Sequence, residues 1–256
     1  MAVERVQEWI ESESAVLRAD WPAPQRVQTA ITLRSMAGLS RPPFDSCNLG
    51  ERCGDDPSVV EANRAAVAAA LRLPSTPKWL RQVHGNTVVD AGVANDTVPE
   101  ADAAVTRMSG RVLAVLTADC LPVLLCSDDG SAIGVAHAGW RGLAAGVIEA
   151  AVAKLGIAPS SVLAWLGPAI GPGSYEVGDE VRAAFLASGA RAAEAFEEAR
   201  PGHWFCDLYA LAQQRLERAG VRRVYGGGFD TLADPRFYSY RRDRETGRFA
   251  SLIWLS

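Results

Sequence analysis

The segment VLAVLTADCLPVLLCSDDGSAIGVAHAGWRGLAAGVIEAAVAKLG, residues 112–156, decides how the rest of the chain folds. Three apolar runs follow one another in it: Val112 to Ala118, Pro122 to Cys126 and Ala132 to Ala136. Asp128-Asp129-Gly130-Ser131 supplies a turn between the last two. Short apolar runs without polar alternation are the mark of strands buried on both faces. Leu143 to Leu155 is then rich in alanine, the best helix former, and Gly156 ends it in the left-handed conformation that closes many helices.

Reading outward toward the N-terminus, Trp79 to Val83 and Val88-Val89 predict short strands around a turn at Gly85-Asn86. Asp56-Pro57 predicts a capped helix start, and the helical spacing of Val60, Val67 and Leu71 carries that helix toward Leu73. Arg26 to Leu33 is a further strand candidate. Toward the C-terminus, Leu163 to Leu166 reads as a strand ahead of a glycine-rich loop at 167–173. Helices follow at Asp179 to Leu186 and Asp207 to Ala219, with strands near Arg223 to Tyr225 and Ala250 to Trp254. Such alternation predicts an α/β or α+β layered sandwich, a mixed sheet flanked by helices, in one domain over residues 1–256.

Composition narrows the function classes. At 256 residues with 48% apolar and 22% charged residues, the chain can bury a core without needing a disulfide or metal merely to fold. Net charge is −4, and lysines and arginines are scattered, so the basic footprint of a nucleic-acid binder is missing. The exception is the run Arg241, Arg242 and Arg244, which reads either as a solvated turn or as an anion-binding group. No stretch approaches the roughly 20 apolar residues of a membrane span. Glu4, Arg5, Glu8, Glu11 and Glu13 interrupt the apolar core that a leader peptide would need. A cytoplasmic protein is therefore expected. Five cysteines (47, 53, 120, 126 and 206) are odd in number and irregular in spacing, which fits free thiols or ligands rather than a disulfide framework.

Only three histidines exist, so each can be weighed. His84 ends a strand candidate in Gln82-Val83-His84-Gly85, and His137 lies between a strand and a helix in His137-Ala138-Gly139-Trp140-Arg141-Gly142. Cys120 closes Thr117-Ala118-Asp119-Cys120 after another strand. Ligands at strand ends, flanked by glycine or small residues, can converge at one sheet edge. Two imidazoles and a thiolate are zinc donors, and three protein ligands leave a fourth position open, the pattern of a catalytic site. The long separations between them also differ from the short paired spacings of a zinc finger.

These segments, together with Asn48-Leu49-Gly50, Gly167 to Gly178, Phe237 to Asp243 and Thr246-Gly247-Arg248, resemble the YfiH-type family, in the same order from about Trp21 to Leu255. Members were long labelled polyphenol oxidase or multicopper laccase and are now regarded as purine nucleoside phosphorylases with adenosine deaminase activity. The resemblance implies a zinc site on His84, Cys120 and His137, with copper binding possible in vitro. It implies transferase and hydrolase chemistry on adenosine, inosine, guanosine or methylthioadenosine, with phosphate as the other small-molecule partner. A monomer or small homo-oligomer is expected. Two departures bear on substrate contacts: Leu33 to Ser40 is one residue longer than the family's segment, and Asp230 precedes Thr231 where a Cys-Thr pair is common.

The laccase label does not survive a histidine count. A multicopper oxidase needs several imidazoles beyond one His-Cys-His centre, and only His203 remains. Phosphorolysis needs an anion site, for which Arg34, Arg141, Arg241 and Arg242 are candidates because guanidinium suits bidentate phosphate contact. Asn48 either hydrogen-bonds substrate or caps a turn, and Tyr175 either stacks on a base or fills the core. Asp119, beside a ligand, is either an acid/base group or a supporting one. The competing reading is a Cys-His hydrolase or amidase, with Cys120 as nucleophile and a histidine as base, editing a cell-wall peptide precursor.

Overall fold

The computed structural model describes residues 16–92 and 97–256. The N-terminal charges that spoke against a leader peptide lie outside the described residues. In chain order the elements are β1 (Val16–Leu17), β2 (Val27–Thr32), α1 (Pro57–Ala70), β3 (Val88–Asp90), β4 (Ala103–Thr106), β5 (Val112–Thr117), β6 (Leu121–Ser127) and β7 (Ile133–Ala138). There follow α2 (Trp140–Ala144), α3 (Val147–Leu155), β8 (Val162–Leu166), β9 (Glu176–Gly178), α4 (Asp179–Leu186), β10 (Phe196–Arg200) and β11 (His203–Cys206). The chain closes with α5 (Leu208–Arg218), β12 (Arg223–Gly226), α6 (Tyr240–Asp243) and β13 (Phe249–Leu255).

Two sheets stack. An antiparallel sheet runs β1-β2-β13-β5, and a mixed one runs β12-β8-β6-β7-β4-β3 with parallel pairs only at its two ends. Side chains alternate across the buried strand β6. Leu124 and Cys126 join the core shared with the antiparallel sheet, whereas Leu121, Val123 and Leu125 join a second core beneath α3 and α5. The mixed sheet is thus covered by helices on one face and by another sheet on the other, in keeping with the layered α/β architecture expected from the sequence.

Three local expectations are corrected. Trp79 to Val83 forms no strand, only an isolated bridge at Arg81, with another just before it at Lys78. The Gln82 side chain bonds both the N–H and the C=O of Leu116 at 2.8 Å, so the ladder position is taken by an amide side chain rather than by backbone. The helix expected over 143–155 is two helices, because Gly146 sits at φ 89° between them. His137 lies inside β7, opposite Pro122, rather than beyond the strand. The strand β4 and the small sheet β10-β11-β9 had no counterpart in the sequence reading.

Residue pairs place the ends that matter. Phe249 pairs with Thr117, and Leu121 pairs with Ala138, so the exits of β5 and β7 and the starts of β6 and β13 meet at one end of the sandwich. Ala118-Asp119-Cys120 is the link that crosses from one sheet to the other. All five cysteines are free thiols. No described helix is long and apolar enough to cross a membrane.

Leu124 is fully buried between the sheets. Leu124→Ala is expected to lower unfolding free energy by about 2–5 kcal/mol in chemical denaturation. A loss below about 1 kcal/mol would mean that the inter-sheet core contributes little at this point.

Candidate metal centre

One carboxylate organises two of the three expected ligands. Asp102, immediately before β4, is fully buried. Its Oδ1 accepts the His84 N–H at 2.9 Å and faces His137 Nδ1 at 2.8 Å. Its Oδ2 accepts the N–H groups of Gly85 at 2.7 Å and Val83 at 3.2 Å. Burial alone would raise this carboxyl's pKa, but the His137 hydrogen bond and charge and the two N–H groups bring it below the usual range.

That carboxylate explains an unusual backbone. His84 has φ 61°, a left-handed conformation uncommon for a residue with a side chain. Three consecutive N–H groups converging on one acceptor hold the turn there. With the ring N–H of His137 given to Asp102, the other ring nitrogen is left as the ligand atom.

Cys120 is held by the residue before it. Asp119 also has positive φ, 91°. Its Oδ1 accepts the Thr231 hydroxyl at 2.7 Å, its Oδ2 the Arg241 N–H at 2.6 Å, and its C=O the Ile170 N–H. Both carboxylate oxygens are therefore engaged, and Asp119 ties the link to Thr231 and to the start of α6.

The three side chains meet. Cys120 Sγ lies 3.8 Å from His84 Nε2, the imidazole centroids are 4.7 Å apart, and one ligand atom from each residue falls within 4.8 Å of the others. Zinc bonds of about 2.0–2.3 Å in a tetrahedron put neighbouring ligand atoms roughly 3.5 Å apart, so the donors and their spacing fit a metal ion. Space is tight around them. A Cβ on Gly139 would stand 2.9 Å from both Cys120 Sγ and His84 Cδ2, so glycine is required there by close approach. Burial pushes the Cys120 thiol up, yet the charge and hydrogen bonding of His137 and His84 outweigh it and bring it to about 6. Burial pulls His137 down, and the Cys120 thiolate with Asp102 raises it to about 9.

The trio opens into a cavity of about 820 Å³. Its wall carries six arginines (Arg52, Arg64, Arg141, Arg241, Arg244 and Arg248) against two carboxylates, Glu51 and Asp119. In a chain of net charge −4 this is a local concentration of positive charge. Of the expected substrate contacts, Arg141, Tyr175 and Arg241 line the cavity. Arg141 stacks on Trp140 at 4.4 Å, and Arg241 covers the Tyr175 ring at 5.2 Å while giving Nη1–H to the Glu176 carbonyl.

Asn48, Arg34 and Arg242 do not line it. Asn48 is fully buried, with Oδ1 accepting from Gly50 and Arg248 and Nδ2 donating to Gly50 and Asp55. Arg34 is spent on Asp45 and Asp243, and Arg242 on Asp243 and the carbonyls of Thr231, Leu232 and Phe237. His203 faces Glu176 at 3.2 Å, apart from the trio. Sequence reasoning missed Asp102, whose one signal is a lone acid directly before a buried apolar strand, where a charge needs partners. It also missed Arg52 and Arg64, which carry no local pattern of their own, whereas Arg244 was singled out with Arg241 and Arg242, and Arg248 stood only within a family segment.

The chain as a whole is similar to known proteins. Residues 28–256 match the family model described as multi-copper polyphenol oxidoreductase laccase. The chain is 54% identical over 253 residues to a Xylella fastidiosa purine nucleoside phosphorylase, covering 94% of this chain and 97% of that one. It is 48% identical over 243 residues to the purine nucleoside phosphorylase YfiH of Escherichia coli, covering 94% and 99%. A crystal structure of a Neisseria meningitidis protein of family DUF152 superposes with TM-score 0.91 at 46% identity, covering 95% of this chain and all (100%) of that one.

Two outcomes are expected. Asp102→Ala should weaken metal binding about 10–100-fold in chelator competition, since it frees the His84 turn and the His137 ring together. In metal-free protein the Cys120 thiolate should persist at neutral pH, and the alkylation rate should fall as pH drops through about 6. A midpoint near the ordinary thiol value would show that the imidazoles do not hold the thiolate.

Proposed function

This chain belongs to the multi-copper polyphenol oxidoreductase laccase family, and we propose that it acts as a zinc-dependent purine nucleoside phosphorylase that also deaminates adenosine. The observation that carries the reading is a His-Cys-His donor set opening into an arginine-lined cavity. The names of the similar proteins from Xylella fastidiosa and Escherichia coli support the phosphorylase part of it. Copper oxidase chemistry is disfavoured by residue inventory. Of three histidines, two belong to the trio and His203 is bonded to Glu176.

The chain's own residues supply binding and orientation. His84, Cys120 and His137 would hold the ion, which when bound supplies a Lewis acid that polarises a substrate oxygen or activates water. Arg141 and Arg241 flank the trio and present guanidinium to inorganic phosphate. Trp140 and Tyr175, half-buried in the wall beside them, offer aromatic faces to a purine. In phosphorolysis a phosphate oxygen attacks C1′ of the ribose and the bond to the purine nitrogen breaks, giving ribose 1-phosphate and free base. In deamination, water replaces the amino group at purine C6 and ammonia leaves. Asp102 keeps the ring N–H of His137 pointed away from the cavity in both.

A second reading rests on the same atoms. A thiolate beside an imidazole that is itself oriented by a buried carboxylate is the arrangement of a cysteine hydrolase, with Cys120, His137 and Asp102 as its members. A metal held stoichiometrically by the thiolate would block that nucleophile.

Metal-loaded protein given adenosine and phosphate should release adenine and ribose 1-phosphate, and without phosphate should form inosine. Cys120→Ser and His84→Ala should each lower turnover at least about a hundredfold while the far-UV spectrum stays native. If no purine nucleoside reacts, yet a cell-wall peptide precursor is cleaved by metal-free protein, the hydrolase reading replaces this one.

A further inference from the structure

The cavity wall carries more arginines than one inorganic phosphate requires, and they come from different parts of the fold. Arg141 and Arg241 stand on α2 and α6 beside Tyr175. Arg52 and Arg248 belong to a different scaffold, where Leu49 donates its N–H to the Arg248 carbonyl and Gly50 packs against the Arg248 side chain. The two groups are joined through α6. The Arg248 guanidinium lies 6.0 Å from the ring centre of Tyr240, whereas the next residue, Arg241, covers Tyr175. Arg244 follows the same helix into the cavity wall.

The second group is fixed in part and unsatisfied in part. Arg248 is anchored by Nη1 on the carbonyls of Thr246 at 2.7 Å and Gly247 at 2.9 Å. Arg52 and Arg244 are exposed, and among the described residues no carboxylate lies within ion-pair distance of either. Arg64, by contrast, is paired with Glu51 and stacked on Trp79, so it is occupied. Three arginines line the wall of this one cavity, two of them without a counter-charge among the described residues, and together they offer an anion charge that the fold leaves unspent.

We propose that this group receives the 5′-phosphate of a purine nucleoside monophosphate, so that nucleotides as well as nucleosides enter the cavity. The inference rests on the phosphorylase reading for the position of the base and of inorganic phosphate. On a nucleotide, C1′ and the 5′-phosphate lie at opposite sides of the ribose. Phosphate attacking C1′ at Arg141 and Arg241 therefore leaves the 5′-phosphate needing a separate cationic group, which Arg52, Arg244 and Arg248 provide. Phosphorolysis of such a ligand forms the C1′–O bond of ribose 1,5-bisphosphate as the C1′–N bond breaks. The purine keeps the electron pair of that bond and takes a proton from solvent.

The test is calorimetric titration of metal-loaded protein with adenosine 5′-monophosphate and with adenosine, both in saturating inorganic phosphate. The monophosphate should bind at least about tenfold tighter at low salt, an advantage typical of one or two charge-assisted contacts, and should lose that advantage as salt rises. In Arg52→Ala/Arg244→Ala the affinity for the monophosphate should fall about tenfold more than that for adenosine. Equal affinity for the two ligands, or an advantage that survives the double variant, overturns the proposal. So does competition between the monophosphate and inorganic phosphate, which would put both in one place. Binding needs no turnover. An arginine-dependent advantage in protein that releases no adenine would support this subsite while sinking the phosphorylase reading.

Discussion

A single buried carboxylate is the constraint on which the site depends. Asp102 is out of water, so its charge must be met within the protein, and it is met by three backbone N–H groups of one turn and by the ring of His137. The requirement runs in both directions. The carboxylate needs those donors to stay charged, and the left-handed turn at His84 needs that acceptor to persist. Two candidate ligands from separate parts of the chain are thereby held on one carboxylate, the kind of support from a second layer of hydrogen bonds that a precise site needs.

The rest of the site follows from where the sheets end. Because β5 belongs to one sheet and β6 to the other, the chain must cross between them within Ala118-Asp119-Cys120. The strained crossing is held by Asp119, whose oxygens tie it to Thr231 and to the start of α6. Cys120 is delivered to the imidazoles by this crossing, and Gly139 keeps space for all three. The same tie draws α6, with Arg241 and Arg244, to the cavity wall. The candidate metal donors and the cavity arginines of α6 are thus positioned by one set of contacts, and a positive cavity forms in a chain of negative net charge.

Much of this was legible in the residues. Unbroken apolar runs identified the strands buried on both faces, and the resemblance of the motifs around His84, Cys120 and His137 to a known family implied the His-Cys-His set. Local pattern failed where a side chain replaced backbone. Gln82 pairs with Leu116 as a strand would, so the extended segment before His84 looked like a strand and is not one. It failed again at α2 and α3, where an alanine-rich composition concealed the break that Gly146 makes.

By itself, then, the sequence determined which segments are buried and which are helical, because burial and periodicity are local properties of a chain, and the three candidate metal donors were implied by its resemblance to a family. Only the tertiary structure decided that Asp102 and not Asp119 faces the imidazole. Only it separated the arginines, Arg34 and Arg242 being consumed by internal carboxylates and carbonyls while Arg52, Arg244 and Arg248 reach the cavity. The reason is physical. A charged side chain's role is set by the partners that compete for it, and those partners come from elements distant in the chain that meet only when the two sheets close on each other.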